Sequence, residues 1–287
     1  MLLFCLLLVS GTGEMQVESR VVNGQTNEGI PYVNIKVKGK TLGTSADIDG
    51  NFSLSGLSDD DELIFSAVGY SSITIQASMI TDKVALQPHV MSLAEVSIEK
   101  KRIHRELIVG GVHKKLPSGY GCGKSPRIAA RLFKPDTAYQ RTPLIKTVKV
   151  LTRSSIKEAK FNIRLYKVNE DGEPGEYLCH ENIIGTARRG KHVTEVDVSE
   201  LSLTFPQEGL FVAFEWLMIE ENQREYSYTT NESREKQRGV TTYPSIGADW
   251  VDSNDLTRLN GSGYWMKGSL IIGGKYLEPA FELVLSN

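Results

Sequence analysis

Short runs in which apolar and polar residues alternate, each cut off by turn residues, recur along almost the whole sequence, and no stretch keeps a helical period over three turns. A period of two puts successive side chains on opposite faces of a strand, so a chain like this must fold from sheets. The sharpest break in the pattern is Asp49-Gly50. Ala46 and Ile48 precede it at alternating positions, and Phe52 and Leu54 follow it. A tight turn needs positive φ, which glycine adopts without steric cost, so the pattern predicts a hairpin here.

The remainder of the first hundred residues reads as strands around that turn. Residues 17–22 read as a first strand followed by a polar turn at 23–29, and Val33, Ile35 and Val37 then alternate with Asn34, Lys36 and Lys38 as a half-buried strand would. Leu63, Phe65 and Ala67 repeat the alternation, Gly69 marks a bend, and residues 72–77, 84–86 and 93–98 close the series. Roughly seven strands across residues 16–99 predict a β-sandwich with its core between two sheets.

Gly24, Ile30-Pro31-Tyr32-Val33-Asn34-Ile35, Gly43-Thr44, Asp47-Ile48-Asp49-Gly50-Asn51-Phe52 and Val68-Gly69-Tyr70 together resemble the carboxypeptidase-regulatory-like domain family. The resemblance implies a transthyretin-like, seven-stranded sandwich. Such modules are common at the start of exported Bacteroidetes proteins and ahead of the plug of TonB-dependent receptors. It implies a fold and a compartment rather than an activity. The chain after residue 104 is short for a plug followed by a many-stranded barrel, which sets a receptor aside.

Residues 1–13 are an apolar run followed by small residues and read as a signal peptide without its basic start, hence an exported protein of the periplasm or outer-membrane surface. Cys5 lies inside that run, leaving Cys122 and Cys179, which read equally as one disulfide or as two buried thiols. Net charge is −2 with 24% charged residues, which argues against nucleic acid as a partner, and no segment after the leader is long and apolar enough to span a membrane. Residues 100–124 change composition, with basic residues 100–105 first and glycines after, and read as a linker leading into the second domain.

In residues 125–287, Phe161, Ile163 and Leu165 alternate with Lys160, Asn162 and Arg164, and residues 210–217 are apolar on both faces as a central strand would be. About eight strands predict a second, jelly-roll-like sandwich. The order of these segments is similar to the C-terminal part of Bacteroidetes proteins named for their regulatory-like domain, which brings no activity with it.

Motifs that carry chemistry fail on spacing. Asp47, Asp49 and Asn51 have calcium-loop spacing, but Phe52 and Ser58 stand where that loop needs glycine and a bidentate glutamate, so the three build the turn instead. Gly123-Lys124-Ser125 lacks the leading glycine of a phosphate loop, since residue 118 is serine. His192 and Glu195 match H-x-x-E, yet no histidine follows and positions three apart on a strand face opposite sides. Ser154 and Lys157 have S-x-x-K spacing without companion motifs. Glu215, between Phe214 and Trp216, reads either as a carboxylate of raised pKa or as a buried polar contact.

The aromatics give one further idea. Tyr243 and Trp250, with Asp249 and Asp252, fall in a stretch containing Pro244 and Gly247 that reads as a loop, and exposed rings beside acids are how sandwich modules grip sugars. Trp216 and Trp265 read as core anchors. The expectation is an all-β, two-sandwich, non-catalytic binding or envelope-assembly protein of a Gram-negative cell, without cofactor or metal, whose partner is an envelope protein or a glycan. The alternatives are a carbohydrate-binding accessory protein using Trp250, Tyr243, Asp249 and Asp252, and, third, an enzyme of unknown chemistry.

Overall fold

The computed structural model describes residues 15–89, 105–230, 236–261, 264–268 and 273–287. The proposed leader, the basic run at residues 100–104 and the strand expected at 93–98 lie outside the described residues.

The front domain holds seven strands: β1 (Met15–Asn23), β2 (Asn34–Val37), β3 (Gly43–Ser45), β4 (Asn51–Leu57), β5 (Glu62–Ser66), β6 (Ile73–Gln76) and β7 (Lys83–Leu86). They form two sheets, β4-β1-β7 and β3-β2-β5-β6, with β1 and β7 parallel and the other pairs antiparallel. Alternation sets the core: Phe52 and Leu54 of β4, Leu63 and Phe65 of β5, and Val84 and Leu86 of β7 point between the sheets with Val21, Val33 and Ile35. Phe52 and Phe65 meet edge to face across the layer, 5.6 Å between centroids.

The Asp49-Gly50 turn is present, but it is not a hairpin. β3 pairs with β2 and β4 pairs with β1, so the turn carries the chain from one sheet to the other. Ala46 is therefore fully buried while Ile48, two residues on, is exposed at the corner. Asp47 Oδ1 accepts from the backbone N–H groups of Asp49 (2.9 Å) and Asn51 (2.8 Å), and Arg20 Nε donates to the Asp49 carbonyl (2.8 Å). Gly50 has φ +87°, and a Cβ there would stand 2.5 Å from the Val21 carbonyl oxygen.

The second domain is larger than its pattern implies. Its first strands are β8 (Glu106–Gly110), β9 (Ser118–Cys122), β10 (Ile128–Phe133), β11 (Leu144–Ser154), β12 (Ala159–Val168), β13 (Pro174–Tyr177), β14 (Ile183–Ala187) and β15 (Gly190–Asp197). β16 (Leu210–Trp216), β17 (Gln223–Tyr228), β18 (Gln237–Val251), β19 (Thr257–Asn260), β20 (Trp265–Lys267), β21 (Tyr276–Pro279) and β22 (Phe281–Ser286) complete it. One sheet runs β13-β12-β16-β10-β19-β20 with β14 also on β12. The other runs β17-β18-β11-β22-β8, with β15 on β11 and both β9 and β21 on β18. Between them lie Val148, Val150, Ile163, Leu165, Phe214, Trp216, Phe281 and Leu283. Trp216 is an anchor as expected, fully buried, with its Nε1 donating to the Pro244 carbonyl at 2.7 Å.

Two stretches read as irregular are strands. In β9, inside the supposed linker, Tyr120 and Cys122 point inward while the outward positions are Gly119 and Gly121, so the alternation is real but half of it is written in glycine. In β18, Pro244 breaks the pattern; the strand tolerates it because the register against β9 shifts between Thr242 and Ile246, a bulge that takes the residue without an amide donor.

Candidate functional site

The two sandwiches stack face to face, and the contact is made by outward-pointing positions of strands whose alternate residues fill each core. In β2, Ile35 and Val37 enter the front core, so Asn34 and Lys36 point out of it. All four residues are nonetheless buried, because the second domain covers that outer face. Opposite stand Glu215 of β16, Arg164 and Asn162 of β12, and Asn260 of β19.

Glu215 is the centre of this junction. One carboxylate oxygen accepts from Asn34 Nδ2 across the domain boundary (2.8 Å), and the other accepts from Arg164 Nε (2.6 Å). The ion pair is almost wholly out of water, at 2% and 3% side-chain exposure. Arg164 also donates to Asn182 Oδ1 (3.2 Å), which receives Asn162 Nδ2 as well (2.9 Å), while Asn182 Nδ2 donates back across the boundary to the Pro31 carbonyl (3.2 Å). Both charges of the network are paired and hydrogen-bonded, which is what a buried charge requires, while Asn34 Oδ1 is buried without a hydrogen-bond partner among the described residues.

Lys36 lies beside it and donates to Asn260 Oδ1 at 3.0 Å. Burial pushes its ammonium below the usual lysine value, with Glu215 and the Cys122 thiol pulling part of the way back. Around the polar centre, Tyr32 packs with Leu217, Ile219 and Ile184, Ser45 Oγ accepts from the Met218 amide (3.0 Å), and the His89 and His180 rings stack at 6.4 Å. At one edge of the junction a cleft of about 910 Å³ opens to solvent, with Arg20, Asp47 and Phe52 on the front wall and Met218, Glu221 and Arg224 opposite.

The residues expected to grip a sugar fall elsewhere and apart. Tyr243 and Trp250 are seven residues apart on β18, about 23 Å along an extended strand. Both are half-buried, and Trp250 packs on the core of its own domain. Asp249 is exposed and accepts from the Trp250 amide, and Asp252, past the strand end, is ion-paired with Lys275. None of the four lines the junction cleft.

The other sequence candidates are structural in place. Glu215 is a buried polar contact. His192 hydrogen-bonds the Arg189 carbonyl (2.9 Å) and Glu195 pairs with Lys149 (3.5 Å); among the described residues no group of three metal-ligating side chains occurs. Ser154 Oγ, buried, staples the turn at Ile156. Cys122 and Cys179 are free buried thiols rather than a disulfide, and burial pushes the Cys122 thiol up to about 12. Trp265 is half-buried and meets Tyr166 edge-on at 5.3 Å.

A family model described as CarboxypepD_reg-like domain matches residues 17–99, the stretch that carries most of β1, all of β2 to β7, Asn34, Lys36 and the Gly50 corner. The front sandwich is a CarboxypepD_reg-like domain. Domains of this type are non-catalytic β-sandwiches, compatible with a non-enzymatic binding role. The match does not extend to the second sandwich. No curated protein matches the chain. Among solved structures, the cysteine protease and lectin-like domains of Cwp84, a surface layer associated protein of Clostridium difficile, align at 14% identity and TM-score 0.34, covering 57% of this chain and 33% of that one. The infectious bursal disease virus Gx strain structure aligns at 8% identity and TM-score 0.23, over 96% of this chain and 60% of that one. The chain thus spans less than two thirds of either, and neither likeness carries an argument.

Asn34 and Lys36 lie on the outward face that the sequence assigns them, but that face is covered rather than solvated. Their alternation with Val33, Ile35 and Val37 marks a strand with one polar face, and a polar face reads as solvated unless a second body is known to lie on it.

Proposed function

We propose that the protein is a non-catalytic adaptor exported to the envelope of a Gram-negative cell, whose CarboxypepD_reg-like domain and second sandwich act as one rigid body on a protein partner. The observation that supports this reading is the buried junction network, in which Asn34 donates to Glu215 and the Pro31 carbonyl accepts from Asn182, tying one domain to the ion pair of Glu215 and Arg164 in the other. Such an arrangement holds a fixed spacing between two outward surfaces, as an assembly module needs and a mobile tether does not. The apolar leader at residues 1–13 supports export. Fractionation of cells producing the tagged full chain, followed by crosslinking in the intact envelope, tests it. Recovery in the cytoplasm, or no crosslinked product from any exposed position, refutes it.

A second reading, carbohydrate binding, is favoured by a different pair of rings from those the sequence offered. Tyr226 and Tyr228 on β17 are 50% and 42% exposed with centroids 5.8 Å apart, and the Tyr226 ring lies against Gly239 so that its other side faces out. A glycan array on the full chain and on Tyr226→Ala decides it. Absence of binding, or binding unchanged in the variant, removes this reading.

A further inference from the structure

The outer face of the β11 sheet, away from both cores and from the domain junction, treats two cations in opposite ways. Lys149 of β11 has a carboxylate on each side, Glu195 of β15 at 3.5 Å and Glu282 of β22 at 3.2 Å. Four residues on, and therefore on the same face, Arg153 stands directly across from Lys191 of β15. Two like charges placed opposite each other on neighbouring strands repel. No carboxylate among the described residues pairs with either. The only hydrogen bond from the Lys191 ammonium among the described residues is a long one, 3.5 Å, to the Leu116 carbonyl.

Between these cations and the segment that covers the sheet is a pocket of about 300 Å³. Its apolar lining comes from Leu151, which precedes Arg153 by two positions, and from Leu116, the two packed in one buried cluster. Glycines shape its wall. At Gly121 an added Cβ would meet nothing within 4 Å, and at Gly247 it would collide with Leu116 and Leu151 at 2.8 Å, so both leucines pack on a bare backbone there. Ser245, the Arg153 neighbour on β18, adds a hydroxyl to the rim.

From this geometry we infer that the pocket binds an amphipathic carboxylate. The carboxylate sits between the Arg153 guanidinium and the Lys191 ammonium, where it converts a repulsive pair into a bridged one, and the hydrocarbon part lies against the sides of Leu116 and Leu151 that line the pocket. The volume, about ten water-sized units at ~30 Å³ each, suits a short chain or one side chain rather than a polymer. Two sources share this chemistry, a free short-chain acid and the C-terminus of a peptide. The site is independent of the adaptor reading, which rests on the junction.

The test is calorimetric titration of the full chain with acetate, hexanoate, inorganic phosphate, N-acetyl-leucine and N-acetyl-leucine amide. Hexanoate or N-acetyl-leucine, or both, is expected to bind saturably and at least about tenfold more tightly than acetate, because buried methylenes add to the ion pairing. The tighter of the two identifies the source, and the amide should not bind. Arg153→Gln and Lys191→Gln should each weaken binding about tenfold or more, since each removes one charged contact. Both sites lie on an outer face, so each variant should melt no lower than the parent, which separates lost binding from lost folding. No saturable binding of either apolar carboxylate, tighter binding of phosphate, or unchanged affinity in the double variant overturns the assignment.

Discussion

Replacing Glu215 by alanine is the most exacting test of the junction. The substitution removes a carboxylate that accepts from Arg164 Nε at 2.6 Å and from Asn34 Nδ2 at 2.8 Å, and leaves the Arg164 guanidinium, 2% exposed, without a counter-charge. Breaking one side of a buried ion pair costs about 3–5 kcal/mol, because the remaining charge stays desolvated; the orphaned Asn34 donor adds about 1–3 kcal/mol where water cannot reach it. The loss should therefore be about 4 kcal/mol or more in urea unfolding of the full chain. A companion double variant, Arg164→Met with Glu215→Leu, removes both charges and should recover most of it, since apolar replacement of a whole buried pair is often neutral or better. If Glu215→Ala costs under about 1 kcal/mol, or if the double variant is less stable than Glu215→Ala, the pair is not the buried, mutually dependent unit described above.

Lys36 should reveal itself by pH. Its folded value is depressed by burial, so between that value and the ordinary 10.5 the unfolded chain holds a proton that the folded chain does not, and stability rises with pH through that window. Lys36→Met has no such term, so the stability difference between variant and parent should move in the parent's favour as pH rises toward 10; a difference independent of pH refutes it. Gly50→Ala places a Cβ 2.5 Å from the Val21 carbonyl at φ +87°, and should cost about 1–3 kcal/mol by thermal unfolding, whereas a change below about 0.5 kcal/mol contradicts the corner geometry. Cys122, raised to about 12 by burial, should resist alkylation at pH 8 in the native chain and react in urea, as read by peptide mass mapping; labelling at equal rates in both states refutes it.

The front domain was legible because its signals are local. Alternation at Phe52 and Leu54, at Leu63 and Phe65, and at Val33, Ile35 and Val37 marks which side of each strand is dry, and those residues do fill the core. The Gly50 turn was legible as a turn but not as a corner, since the local chemistry of Asp47 and Gly50 is the same whether the flanking strands pair with each other or with others. In the second domain β9 and β18 were hidden by composition: glycine at positions 119 and 121 and proline at 244 are the residues that normally end strands.

The junction was illegible for a deeper reason. A strand that is polar on one face has no way to say in its own sequence whether that face meets water or another protein surface, because Asn34, Lys36, Asn162 and Arg164 suit both. What distinguishes the buried case is that its charges are saturated. Every charged group at the junction is met by a partner on the other domain or by one that the other domain holds in place. The Arg153–Lys191 pair, on a different outer face of the same molecule, has the same residue types without that saturation. A polar face whose charges are all met belongs to the fold; one that carries two opposed cations beside apolar side chains is met only with something bound, and there an added carboxylate should act first.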